Sequence, residues 1–318
     1  MTSNSPIITR FDHGVIAIDT GYVRPRLDAS HLIVRDGRAA FVDTGTSHSV
    51  PRLLDAIRIS DLTPAHVDYV FLTHIHLDHA GGAGELMKHL PHAKLVVHPR
   101  GAGHMIHPEK LIEGTKAVYG EVEFRRLYGD IPGIPAERLI ESADGMTLRL
   151  GSSELTLLHT PGHALHHYCI VDHASESVFT GDTFGISYRI FDTAKGPFIF
   201  PATTPVHFDP EQAHASLERI MSYKPRAVFL THYSRVGDLP RLAQAMHEGI
   251  DAHVRIAEDV QGAGDRIDEM KKGIHAYLVQ KLREHGCTLD QAMVDTWLEM
   301  DVDLNAKGLS VWLDRKKR

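Results

Sequence analysis

The sequence is poor in several features that would assign it to a class at once. It has two cysteines in 318 residues, Cys169 and Cys287, far apart and without CxxC spacing. That argues against a disulfide scaffold and a thiolate zinc site, and Cys169 in the run YCIVD reads as a small core residue. No apolar run approaches membrane-spanning length. The start, MTSNSPIITRFDHG, lacks the basic and apolar regions of a signal peptide, so the expected location is cytoplasmic, with no membrane partner. Positive charge is not in excess either: 34 Lys and Arg against 41 Asp and Glu give a net charge of -7 with histidines neutral. Such a chain offers a phosphate backbone little attraction, so nucleic acid is not an expected partner. The basic end of LSVWLDRKKR is short and reads as a solvated terminus.

Histidine is abundant, with 24 residues, and the pentapeptide VFLTH occurs twice, at 70–74 and 228–232. The surrounding pattern alternates strands with helices. HGVIAID, HLIVRD and AAFVDTG read as strands, with Asp36-Gly37 as a hairpin turn. A helix follows over Val50 to Ile59, then the strand VDYVFL, a helix over Glu85 to Leu90 and the strand AKLVVH. Residues 99–140, with glycines, prolines and only fragments of helical periodicity, read as a lid or binding loop. MTLRLG, ELTLLHT, HYCIVD and SVFTGD return to strand pattern, and a second loop spans Phe184 to Val206. Asp209 caps a helix that has Pro210 at its first position, and the second VFLTH follows. The two halves therefore repeat a strand, helix, strand unit in degenerate form. From about Leu239 the pattern is helical: one helix with Leu242, Met246 and Ile250, another from Ile267 to Leu282 ending at Gly286, and a third opened by a Thr288 and Gln291 capping box.

The first VFLTH runs into THIHLDHAGG. Side chains two apart at the end of an extended segment point the same way, so His74 and His76 can converge on one metal while the following turn offers Asp78 and His79 to a second. Three further candidates close other strands: His163 in HTPGH, Asp182 in VFTGDT, and His232. A carboxylate such as Asp182 can bridge two cations, and imidazole with carboxylate suits zinc, iron or manganese.

In this order THIHLDH, TPGH, FTGD and the late TH resemble the metallo-β-lactamase fold superfamily, over residues 12 to 236. The resemblance implies an α/β (α+β) architecture: an αββα sandwich of two similar halves, here with a C-terminal helical extension. It implies two divalent metal ions, zinc first, with iron or manganese as alternatives. His74, His76 and His163 would hold one ion, Asp78, His79 and His232 the other, and Asp182 would bridge them. Asp43 in FVDTG and His167 match outer positions that orient the ligands.

The resemblance implies a hydrolase in which metal-activated hydroxide attacks an ester, thioester or lactone carbonyl. Asp78 would be catalytic as part of the metal site that stabilises the oxyanion, with Tyr188, Ser187 or Tyr233 assisting. The helical tail resembles that of glyoxalase II, and Tyr188 lies near where lactone hydrolases of the fold carry a tyrosine. Two alternatives stand beside this: an iron-containing redox member, either a di-iron oxygen-binding protein or a persulfide dioxygenase, and a metal-retaining regulatory protein with little turnover. The expected domains are 1–238 for the sandwich and 239–318 for the helices, which offer a homodimer surface. The expected partner is a small-molecule substrate.

Overall fold

In the computed structural model, residues 7–204 and 206–317 are described. The first six residues of the run read for a signal peptide, Pro205 in the second loop and Arg318 in the basic tail lie outside them. The chain clusters into two compact units, one of residues 7–159, 166–181 and 231–234, the other of 160–165, 182–230 and 235–317. The C-terminal helices fall in the second unit together with residues 182–230.

The first unit opens with an antiparallel meander: β1 (Ile8–Phe11), β2 (Val15–Asp19), β3 (Ala29–Arg35) and β4 (Arg38–Val42). Asp36 and Gly37 join β3 to β4, both at positive φ, as expected for a two-residue turn matched to strand twist. The sheet then becomes parallel. β5 (Val67–Phe71) follows α1 (Val50–Arg58), whose Val50, Leu53, Ala56 and Ile57 are buried at helical spacing. α2 (Leu77–Ala80) and α3 (Ala83–His89) lead to β6 (Lys94–Val97). The core of this layer joins Leu53 and Ile57 to Phe41, Val70, Leu86 and Leu95.

Residues 99–140, read from the sequence as a lid or binding loop with only fragments of helical periodicity, are largely helical: α4 (Pro99–Ile106), α5 (Glu109–Tyr119) and α6 (Glu121–Tyr128), before the short β7 (Leu139–Glu141) closes the sheet. Glycines inside the helices obscured the periodicity. Gly101 is there for close approach, since a Cβ on it would lie 2.7 Å from Ile75 Cγ2.

Four antiparallel strands complete this unit: β8 (Thr147–Leu150), β9 (Ser153–His159), β10 (Tyr168–Asp172) and β11 (Ser177–Gly181). They face the first sheet. The Tyr168 hydroxyl donates to Val96 O at 2.8 Å, and the buried Arg35–Asp172 pair at 2.6 Å joins β3 to β10.

The second unit contains α7 (Pro210–Ser222), β12 (Ala227–Leu230), most of β13 (Ser234–Val236), α8 (Leu239–Asp259), α9 (Arg266–His285) and α10 (Gln291–Lys316). Asp209 caps α7 by accepting Gln212 N at 3.0 Å, with Pro210 in the first turn. Gly286 ends α9 in the left-handed region. The cap of the last helix differs from expectation. Asp290, not Thr288, accepts Met293 N at 2.8 Å, because a cap accepts from the second or third residue of its helix and the helix starts at Gln291, directly after Asp290. α10 then continues through LSVWLD. Its Gly308 is required, because a Cβ there would lie 1.7 Å from Thr203 O. Among the described residues no helix is long and apolar enough to cross a membrane.

Candidate metal centre

The parallel strands β4 and β5 end side by side, with Asp43 N donating to Phe71 O at 2.8 Å. Each hands over to a functional residue. β4 leads into Asp43, fully buried and at φ 57, a conformation that aspartate tolerates better than most residues. β5 leads into Thr73 and His74.

The Asp43 carboxylate is a hub. Oδ1 accepts from Thr73 N at 2.8 Å, and Thr73 Oγ1 lies 3.0 and 2.9 Å from the two oxygens. Oδ2 accepts from His79 Nδ1 at 2.9 Å and from Thr231 Oγ1 at 2.8 Å. The threonine of each VFLTH copy therefore donates to one carboxylate, which sets the position of the histidine that follows. α2 is fixed from its other side, as Thr44 donates to His79 O through N and Oγ1 at 2.7 and 2.8 Å.

These contacts decide the tautomers. His79 Nδ1 carries the proton given to Asp43, and His232 Nδ1 donates to Leu27 O at 3.0 Å. Each ring then presents Nε2 as a lone-pair donor, the arrangement in which ligating histidines are usually held. The two Nε2 atoms lie 3.7 and 3.5 Å from Asp78 Oδ2, and the three residues offer ligand atoms all within 4.8 Å of one another. A carboxylate and two imidazole nitrogens converging with no proton donor among them fit a cation with borderline nitrogen and oxygen preference.

The His74 ring lies 4.0 Å from that of His79 between centroids. His74 Nδ1 is 3.2 Å from Thr73 Oγ1 and its Nε2 is 2.9 Å from His76 Nδ1, so the ring nitrogens of these two histidines meet. His167 is buried and its ring lies over His74 at 5.0 Å with planes 28° apart. In the second unit, His163 Nδ1 donates to Ala202 O at 3.0 Å. That turns its Nε2 to Asp182 Oδ2, 3.5 Å away.

A sequence model of the metallo-beta-lactamase superfamily matches residues 23–232. The chain belongs to that superfamily. Among its relatives, the metallo-beta-lactamase fold-containing protein ST1585 of Sulfurisphaera tokodaii is 27% identical over 226 residues, covering 69% of this chain and 78% of that protein. The hydroxyacylglutathione hydrolase of Citrobacter koseri is 27% identical over 210 residues, covering 63% and 68%. The crystal structure of ST1585 matches with a TM-score of 0.65 at 24% identity, covering 93% of this chain and 98% of that one. The fold is the α/β fold of the superfamily with a C-terminal helical region.

The three candidate assisting residues have different surroundings. Tyr188 is buried, packs on Phe191, Phe200 and Trp297, and donates its hydroxyl to Asp301 Oδ2 on α10 at 3.0 Å. Ser187 donates to Phe198 O at 2.5 Å. Tyr233 is buried directly after His232.

Two residues were not singled out by the sequence. His166 lies 5.6 Å from His76 between ring centroids. Asp28, fully buried, accepts from Thr20 Oγ1 at 2.8 Å through Oδ2, while its Oδ1 has no hydrogen-bond partner. Burial pushes the Asp28 carboxyl up to about 7, with the imidazoles of His232 and His79 pulling it back. A lone aspartate in RPRLDAS carries no spacing signal, so only the fold could bring it to notice.

Proposed function

We propose that this chain is a metal-dependent hydrolase that cleaves an ester, thioester or lactone of a small molecule. The observation that carries the reading is the Asp78, His79 and His232 cluster, with its ring protons committed outward to Asp43 and Leu27. The hydrolase named among the relatives acts on a glutathione thioester and supports the substrate class. We assign His74, His76 and His163 to one ion and Asp78, His79 and His232 to the other, with Asp182 shared. When bound, the ion pair supplies hydroxide at neutral pH and polarises the substrate carbonyl.

The protein's own contribution is to orient and to move protons. Asp43 keeps the His79 proton on Nδ1 and ties to one point both threonines that precede the ligand histidines. Ala202 O does the same for His163. Asp78 is the member of its cluster open to solvent, with 24% side-chain exposure against 0% for His79 and 6% for His232. It is therefore placed to take up the proton of the attacking water. Water adds to the carbonyl carbon, the C–O or C–S bond breaks, and that proton passes to the departing alkoxide or thiolate. Tyr188 serves as an anchor for α10 in this reading, not as a proton donor.

Imidazole and carboxylate suit zinc, iron and manganese alike, so metal identity belongs in the test. Protein from its native host is assayed for metal and against a panel of esters, thioesters and lactones, beside Asp182→Ala. The expected result is hydrolysis by the native protein, with most bound metal and turnover lost in the variant. Unchanged metal content and turnover in Asp182→Ala would sink the dinuclear reading, and redox activity without hydrolysis would replace the hydrolase.

A further inference from the structure

Away from these residues, α7 and α8 each carry a histidine followed four residues later by an acid: His214 with Glu218, and His247 with Asp251. That spacing puts both side chains of each pair on one helix face, a turn apart. The pairs are crossed between the helices. His214 Nε2 lies 3.1 Å from Asp251 Oδ1, and His247 Nε2 lies 3.2 Å from Glu218 Oε1. The remaining ring nitrogens, Nδ1 of each histidine, face each other at 2.6 Å, with the ring planes only 9° apart.

The proton count leaves a nitrogen lone pair facing into this gap. An ionised carboxylate only accepts, so His214 Nε2 carries the hydrogen given to Asp251, and a neutral imidazole has only one. His214 Nδ1 then presents a lone pair to His247 Nδ1 at 2.6 Å, and a second lone pair meets it when His247 keeps its own hydrogen on Nε2 beside Glu218. Two like lone pairs at that distance repel unless a positive charge lies between or beside them.

We propose that His214, Glu218, His247 and Asp251 form a second metal site, separate from the superfamily ligand set, for a divalent ion that accepts imidazole and carboxylate, such as zinc, copper or nickel. The two histidines are 30% and 24% exposed and the acids 57% and 76%, so an ion reaches them from solvent and the acids are free to swing from Nε2 onto it. Zinc–nitrogen bonds of about 2.0–2.1 Å in tetrahedral geometry set two nitrogens about 3.3 Å apart. The rings therefore part by about 0.7 Å, and partly exposed side chains have room to do so. The competing occupant is a proton, which fits the present gap and which the metal displaces.

The test uses untagged protein already loaded with its resident metal. Calorimetric titration with Zn2+ is expected to show one further equivalent per chain, absent from the His214→Gln, His247→Gln double variant, whose resident load is unchanged. Titrated with Cu2+, the native protein shows electron paramagnetic resonance coupling to imidazole nitrogen, and the double variant loses it. Should the double variant fail to fold, Glu218→Gln alone is expected to weaken Zn2+ binding about tenfold or more. No further ion on the native protein overturns the site, and so does the same further ion on the double variant or undiminished binding by Glu218→Gln. Because the resident load is counted separately, failure here is distinguishable from failure of the hydrolase reading.

Discussion

Thr231 and Asp43 are 188 residues apart in sequence, yet the threonine hydroxyl donates to Asp43 Oδ2 at 2.8 Å. Thr73, from the other copy of the same pentapeptide, donates to the same carboxylate. One buried acid thus fixes both points at which the repeated strand delivers a histidine.

Asp43→Asn tests this hub. The amide keeps the shape but turns a donor toward groups that themselves donate, so at least one of Thr73, Thr231 and His79 loses its acceptor. The expected cost is about 1–3 kcal/mol of stability by urea unfolding. Metal affinity should fall about 10- to 100-fold, measured by competition with a chromophoric chelator. Full retention of metal at low free concentration would remove Asp43 from the metal's support.

Asn305→Ala probes the support of His163. Asn305 is buried on α10. Its Oδ1 accepts Thr203 N at 2.7 Å and its Nδ2 donates to Pro201 O at 3.0 Å, bracketing Ala202, whose carbonyl orients His163. Deleting the amide should cost roughly 2 kcal/mol, as two buried backbone groups lose partners. It should also speed metal loss to EDTA. Lower stability with an unchanged metal off-rate would mean that α10 supports the fold without supporting the ligand.

Tyr188→Phe separates anchoring from chemistry. Losing a hydroxyl donated to a buried carboxylate should destabilise the protein by about 1.5–3 kcal/mol, with kcat per metal-loaded chain little changed. A large fall in kcat with the unfolding midpoint intact would return the tyrosine to the reaction.

His253 gives a pH dependence of known sign. It is fully buried on α8, its Nδ1 donates to Gly249 O at 2.8 Å, and burial pushes its pKa down to about 4, against the smaller opposing effect of that carbonyl. The folded state then binds the proton more weakly than the unfolded chain, whose histidines titrate near 6.5. This contribution is fully present above about pH 6.5 and is lost as pH falls toward 4, up to about 3 kcal/mol in all. Urea unfolding of the native protein and His253→Leu at pH 7 and 4.5 checks it. The variant should lose less stability on acidification, and equal losses would show that His253 is not the group responsible.

Periodicity and turn chemistry made much of the fold legible. The Asp36-Gly37 turn, the Asp209 cap and the Gly286 stop each depend on residues within a few positions of one another, and local physics acts at that range. The helices of 99–128 were hidden because Gly101, Gly103 and Gly114 interrupt their pattern, and Gly101 answers to Ile75, a contact outside its own helix.

The same division runs through the metal centre. The sequence alone determined which residue types are candidates for ligation, because HxHxDH states its chemistry by identity and spacing and the carboxylate after FTG and the late TH complete the superfamily's motif order. Tertiary structure decided which nitrogen of each ring is offered, because that depends on distant acceptors: Asp43 for His79, Leu27 O for His232 and Ala202 O for His163. It likewise gave Tyr188 a partner 113 residues away and buried Asp28 where the charge of two imidazoles acts on it. Hydrogen bonds act over about 3 Å of space whatever the separation along the chain, so no reading of neighbours in sequence could have supplied these partners.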